Sequence, residues 1–359
     1  MKTRWPRVCL AGAPRVPLPW PRIAALALAL LIPAAPLRAG APTEPPPRTW
    51  SFQRSLFADL WFGALATLGF DGSAEQPLYA PGFAERIRKH KARLRLLPTP
   101  LDRDAASLGT LLADDAAFEV LHFVPLYVDA TNPNDGLDAL EALCRPQQPP
   151  SSLGLMALAS VLSSRDQREV LCRLVSDVRE EWRVLDAFYE GLLGVGASAV
   201  LEDTWTSTYA GPLAEHLQTW GVSGGRAVVS PALGVEGRFF AGRPDDATDT
   251  RVMVGAPAAP GGEALGEALG ALVRELCFPA VRAAFATLEL EFTDRAVASR
   301  ESDAAATRCG ESLLARHLPA GLEDYRRRFG LDADSHTRSQ KGGLEERIDA
   351  TIERLSATR

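Results

Sequence analysis

The chain has 359 residues, 46% of them hydrophobic and 23% charged, with a formal net charge of −6. That apolar fraction is too high for a disordered chain and suffices for one large core or two modest ones. An acidic body repels phosphate backbones, which argues against nucleic acid as a partner.

The first residues differ from the rest. Residues 1–22 carry Lys2, Arg4, Arg7, Arg15 and Arg22 with no acid, and "IAALALALLIPAA" (23–35) follows. Ala39-Gly40-Ala41 then has the small-x-small form of a cleavage site. A basic stretch, a short apolar run and small residues in that order read as a secretory signal over 1–41. The apolar run is too short to span a bilayer comfortably, so no stable membrane span is expected after cleavage. Loss of six basic residues and no acid would move the net charge from −6 to −12. The expected destination is the periplasm or the extracellular space. Cys9 leaves with the signal, and Cys144, Cys172, Cys277 and Cys309 remain. An oxidising compartment allows two bridges in three connectivities, of which Cys144–Cys172 with Cys277–Cys309 is the sequence-local choice. Four buried free thiols are the alternative.

"PTEPPPRTW" (42–50) is a proline-rich lead-in. From residue 53, "QRSLFADLWFGALATLGF" sets Leu56, Leu60, Ala64 and Leu68 on one helical stripe that Gly69 ends. A second helix is expected from Pro81 through "GFAERIRKHKARL", with His90 on its basic solvated face. "DAASLGTLLADDAAFEVLHFVPLYV" (104–128) keeps the helical period and places His122 in an apolar run, as a hydrogen-bonded core histidine rather than a metal ligand. "DATNPNDG" is a turn cluster, and further helices reach about residue 195. The longest of them, through "DQREVLCRLVSDVREEWRVLDAFYEGLL", has Asp166 and Glu169 at capping spacing.

Beyond that point "GRAVVSPALG" (225–234), "EGRFFAG" (236–242) and "TRVMVGAP" (250–257) are short, rich in valine and phenylalanine, and broken by Gly and Pro. They read as a small antiparallel sheet. Helices resume with "GGEALGEALGALVRELCFPAVRAAFATLEL", "SDAAATRCGESLLARHL" and "LEERIDATIERL", the last carrying Leu344, Ile348, Ile352 and Leu355 on one docking face. The fold class expected is α+β and predominantly helical. "GVSGG" (221–225) is turn chemistry, and no G-x-S-x-G elbow is present.

Within "ALVRELCFPAV" (271–281), Arg274, Glu275 and Phe278 stand where a zinc-protease helix has His, Glu and His. Ala271, Arg274, Glu275 and Phe278 share one helical stripe, while Leu265, Leu269, Leu272 and Leu276 form a separate core stripe. Pro279 should kink the helix. The order of elements is similar to that of gluzincin metallopeptidases: a strand-rich segment, the motif helix, then a downstream helix offering Glu311 in the place of the third ligand. The helical first half also resembles the N-terminal region of some exported bacterial gluzincin-like proteins. Together with the residue readings, this resemblance gives a division into signal (1–41), lead-in (42–50), helical region (51–220) and, as the resemblance implies, a degenerate metallopeptidase-like core with a C-terminal helix (221–359).

The resemblance also implies a lost zinc site. Arginine and phenylalanine offer no lone pair to a metal, so no metal cofactor is expected. Arg274 is expected to replace the metal's charge and pair with Glu311, Glu275 or both, with Phe278 filling the space of an imidazole. Glu275 keeps a general base's position without a metal-bound water to activate. The function implied is that of an exported pseudo-metallopeptidase binding a peptide or protein through a remnant cleft. Two alternatives stand beside it: an active hydrolase rewired around Glu275 and Glu311, with Cys277, Cys309 and His317 as further donors, and a disulfide-stapled helical scaffold. A solvated surface helix is the plainest reading of Arg274 and Glu275.

Overall fold

Helical spacing of apolar residues runs through most of the chain, and a computed structural model follows it. It describes residues 50–70, 78–96, 98–128, 130–145, 150, 152–192, 197–234, 238–240, 250–255, 262–290, 292, 295–331 and 343–357. The expected signal over 1–41 and the lead-in up to residue 49 lie outside them. The described residues belong to one compact unit, Pro47–Arg359.

The elements in order are β1 (Trp50–Arg54), α1 (Leu56–Thr67), α2 (Phe83–Leu94), α3 (Pro100–Asp114), a 3-10 helix Ala116–Phe123, α4 (Val124–Tyr127), α5 (Pro133–Leu143), α6 (Leu153–Val161), α7 (Arg165–Glu190) and α8 (Ala197–Thr204). A π-helical turn, Trp205–Tyr209, leads into α9 (Ala210–Thr219), followed by β2 (Gly225–Ser230), β3 (Arg238–Phe240) and β4 (Arg251–Gly255). The chain then forms α10 (Gly262–Leu276), α11 (Phe278–Thr287), α12 (Arg295–His317), a 3-10 turn Pro319–Gly321, α13 (Leu322–Phe329) and α14 (Leu344–Ala357).

Local chemistry sets several boundaries. Ser55 Oγ accepts from the Ala58 N–H and starts α1. At α7 the cap is Ser164 with Gln167 three residues on, one position pair earlier than the expected Asp166 and Glu169. The hydroxyl of Ser164 takes the Gln167 N–H while Gln167 reaches back to the Ser164 N–H.

The sheet corrects the antiparallel expectation. Its order is β1-β2-β4-β3; β1 and β4 both run parallel to β2, and β3 alone is antiparallel, at the edge beside β4. The reason lies in burial of both faces. "AVV" and "VMV" are continuous apolar runs, the mark of strands covered on two sides. Val228 and Met253 face one core; Ala227, Val229, Val252 and Val254 face the other. The first core gathers α1 to α7, and the second gathers α8 to α10 with α12 and α13. The strand at Trp50–Arg54, where the sequence suggested a lead-in giving way to helix, pairs with β2 from Trp50↔Gly225 to Arg54↔Val229.

The first core encloses charge. Lys91 is fully buried, and its Nζ donates to Thr99 Oγ1 at 3.1 Å and Asp102 Oδ1 at 2.9 Å and pairs with buried Glu181. Asp59, also fully buried, accepts from Arg54 Nε at 3.0 Å and Ser230 Oγ at 2.7 Å, tying α1 to β1 and β2. His122 is a core histidine as expected, 2.7 Å from the Tyr79 hydroxyl and stacked on Phe70. His90 lies beside Arg93 and packs on Phe188.

Both sequence-local disulfides are formed. Cys144–Cys172 joins the end of α5 to α7 across 5.7 Å between Cα atoms, and Cys277–Cys309 joins the α10–α11 turn to α12 across 6.1 Å. The second bridge sits in a small core with Ala280, Val281, Ala305, Ile348 and Ile352, where α14 docks as its apolar stripe indicated. Among the described residues no helix is long and apolar enough to cross a membrane.

Candidate functional site

Helix α10 leaves the sheet directly after β4 and carries Leu269, Leu272 and Leu276 into the second core, as their spacing indicated. Its last turn holds Arg274 and Glu275. The helix does not merely kink at the proline; it ends. Pro279 has no N–H for the Glu275 carbonyl, the Cys277 N–H closes a tight turn onto Arg274 O at 3.1 Å, and α11 starts at Phe278. The expected continuous stripe from Arg274 to Phe278 therefore crosses a helix break.

Arg274 and Glu275 are buried at 2% and 1% exposure, which removes the solvated-helix reading. The Arg274 guanidinium is met by three side chains. Nη1 lies 3.0 Å from Glu275 Oε1, Nη2 lies 2.9 Å from Asp303 Oδ1, and Nε donates to Thr307 Oγ1 at 3.2 Å. Its carbon sits 5.6 Å from the Phe278 ring centre and 5.5 Å from that of Phe329. Carboxylates at the edge and aromatic rings at cation–π distance are the surroundings that stabilise a desolvated guanidinium.

Glu311, also buried, sits on the same helix as Asp303 and Thr307 and accepts from Arg326 Nε of α13 at 2.7 Å. The Tyr325 hydroxyl donates to Thr307 O at 2.8 Å. Burial pushes this phenol well above its ordinary range; Arg274 opposes the shift, and Glu311 and Glu275 add to it. Tyr325 fits because its neighbours lack side chains: a Cβ on Gly310 would meet its hydroxyl at 2.3 Å, and one on Gly270 its ring at 3.2 Å. Near Glu275, the Arg282 guanidinium is held below its usual pKa by desolvation, against the pull of Glu275 and Tyr127.

These residues do not fit a zinc ion. Arg274 and Phe278 provide no donor atom, Glu275 is engaged by a guanidinium, and Cys277 and Cys309 are spent on a disulfide. The rewired donor set is not assembled either, since His317 lies against His216 of α9 with ring centres 4.3 Å apart. The cavity formed by α9, α12 and α14, about 920 Å³, is lined by the face of α12 bearing Cys309, Ser312 and Arg316, not the face bearing Asp303 and Thr307.

No family model, no curated protein and no solved structure matches this chain. The likeness to gluzincins therefore rests on the motif residues and the order of elements.

Asp303, Thr307, Arg326 and Phe329 are site residues that the sequence reading did not single out. Asp303 and Thr307 precede Glu311 at steps of four, so one helical face already marked them. Phe329 and Tyr325 are the two aromatics of "LEDYRRRF", again four apart. No comparable pattern marked Arg326 among its neighbouring arginines.

Proposed function

We propose that this chain is an exported, non-catalytic relative of the metallopeptidases in which Arg274 occupies the metal's place, and that it acts by binding a peptide or protein rather than by cleaving one. The observation that carries the reading is the Arg274 cluster. A buried cation gathers Glu275, the residue in the general-base position, together with Asp303 and Thr307 of α12. A zinc ion joins two helices in the same manner, by neutralising carboxylates between them. Here a guanidinium does so, and it activates no water because it is not a Lewis acid. Two disulfides accord with an oxidising compartment.

The test is restoration. In tag-free protein, Arg274→His combined with Phe278→His should add a zinc equivalent beyond any that the wild type binds, and a further Glu311→Gln should remove that added equivalent. A folded double variant without Glu311-dependent zinc binding would contradict the remnant reading. Zinc-dependent peptide cleavage by the wild type, abolished in Glu275→Gln, would contradict the non-catalytic one.

The burial of Arg274 and Glu275 equally favours a scaffold stapled by Cys277–Cys309. Panning a peptide library against the folded protein separates the two. Selected peptides whose binding is weakened by Asp303→Ala or Phe278→Ala support the binding protein, and peptides indifferent to both support the scaffold.

A further inference from the structure

At the C-terminal end of α12, His216 and His317 meet at the cavity between α9, α12 and α14. We infer that these two imidazoles form a binding site for one divalent transition-metal ion of the zinc and copper class. This site is independent of the Arg274 cluster and of the function proposed from it.

Three observations carry the assignment. The ring centres are 4.3 Å apart and the planes are tilted by 50°, so the rings are not stacked face to face. Two imidazoles sharing one ion at a metal–nitrogen distance of about 2.0–2.1 Å have centres roughly 4.5–5 Å apart for a near-right-angle or tetrahedral approach. A small rotation of His317, which is exposed, closes that difference. Next, Nδ1 of His216 is buried and makes no hydrogen bond. Buried ring nitrogens are ordinarily partnered, and a lone pair without a donor is what a metal ion satisfies.

Charge and access point the same way. The cavity lining carries the carboxylates Glu215, Glu346, Asp349 and Glu353 against the guanidiniums Arg308 and Arg316. Arg316 is paired with Glu353, and Arg308 with Asp349. The local field therefore favours a cation. Among the described residues no group of three His, Cys, Asp or Glu side chains is placed to hold an ion. The chain thus supplies two ligands here and solvent the remainder, and imidazole donors select zinc, copper or nickel over calcium or magnesium.

The test uses the full exported chain without a histidine tag, stripped with chelator and titrated with zinc chloride in a calorimeter at pH 7.5. One equivalent should bind saturably. His216→Ala and His317→Ala should each weaken binding at least tenfold, and His90→Ala, a histidine on another face, should leave it unchanged. His317 is exposed, so its alanine variant keeps the test decisive even where His216→Ala fails to fold. Absence of saturable binding by the wild type, or full binding by His317→Ala, overturns the assignment.

Discussion

Arg274 Nη1 lies 3.0 Å from Glu275 Oε1, with both side chains at 3% exposure or less. Adjacent residues on a helix rarely face one another, yet these two meet in the last turn of α10, which ends at Leu276. The guanidinium also holds Asp303 and Thr307 of α12, so removing it takes away a cation paired with buried Glu275 and the side chain that joins the two helices. Arg274→Ala is expected to destabilise the fold by about 3–5 kcal/mol, the range for breaking a buried pair. Equilibrium denaturation measures this directly. A change within about ±0.5 kcal/mol, as at an exposed surface position, would show that the cluster does not hold the helices together.

This cluster also marks how far the sequence could be read. Arg274, Glu275, Phe278 and Glu311 stood out because one helical motif set their spacing, and the leucine stripe of α10 and the two cysteine pairs followed from the same periodic logic. The direction of the sheet did not, because short segments broken by Gly and Pro read as an antiparallel meander. Besides β4, β2 pairs with Trp50–Arg54, which the helices of the first core separate from it in sequence. Local pattern carries no signal for a pairing over such a separation. The break at Cys277 was legible as a proline but not as a full stop, since whether a helix kinks or ends depends on what packs around the freed carbonyl.

Lys91 presents the same physics in the first core. Its ammonium is fully buried with Glu181, Asp102 and Thr99. Burial raises the Glu181 pKa, and Lys91 works against that rise. Lys91→Met should therefore cost about 3–5 kcal/mol by stranding Glu181. Lys91→Met with Glu181→Leu should recover much of the loss, because an apolar pair of similar volume carries no stranded charge. Stability measured on the wild type, both single variants and the double variant gives the coupling. A double variant no more stable than Lys91→Met alone would contradict this account.

The Cys277–Cys309 bridge closes a loop of 32 residues between the α10–α11 turn and α12. Replacing both cysteines by serine should cost roughly 3–4 kcal/mol on the loop-entropy model. The Cys144–Cys172 bridge, over 28 residues, should be worth a similar amount. The two bridges lie in different parts of the core, so the losses should add within about 0.5 kcal/mol. Denaturation of the two paired variants and of the four-cysteine variant checks this. Strong non-additivity would mean that the two cores communicate through more than the shared sheet.

Asp59 gives stability a pH dependence of definite sign. Burial pushes its pKa up to about 6 from 3.8, although the Ser230 hydrogen bond and Arg54 pull the other way. A folded-state pKa above the unfolded one means that the native protein keeps a proton the unfolded chain releases. That stabilisation is fully present below about 3.8 and is lost as pH rises through 6. A shift of this size corresponds to about 3 kcal/mol. Asp177 is pushed to about 6 in the same direction, by burial and then by the charge of Asp104. Asp102 has the opposite sign: burial raises its pKa, but Lys91 and Thr99 together bring it below 3.8, so its contribution fades only in stronger acid. The unfolding free energy should therefore fall between pH 4.5 and pH 7 more steeply in the wild type than in Asp59→Asn. Urea titrations across that range provide the comparison, with the difference in slope between the two proteins as the readout. Parallel curves would mean that Asp59 is already ionised in the native state at the acid end, held so by Arg54.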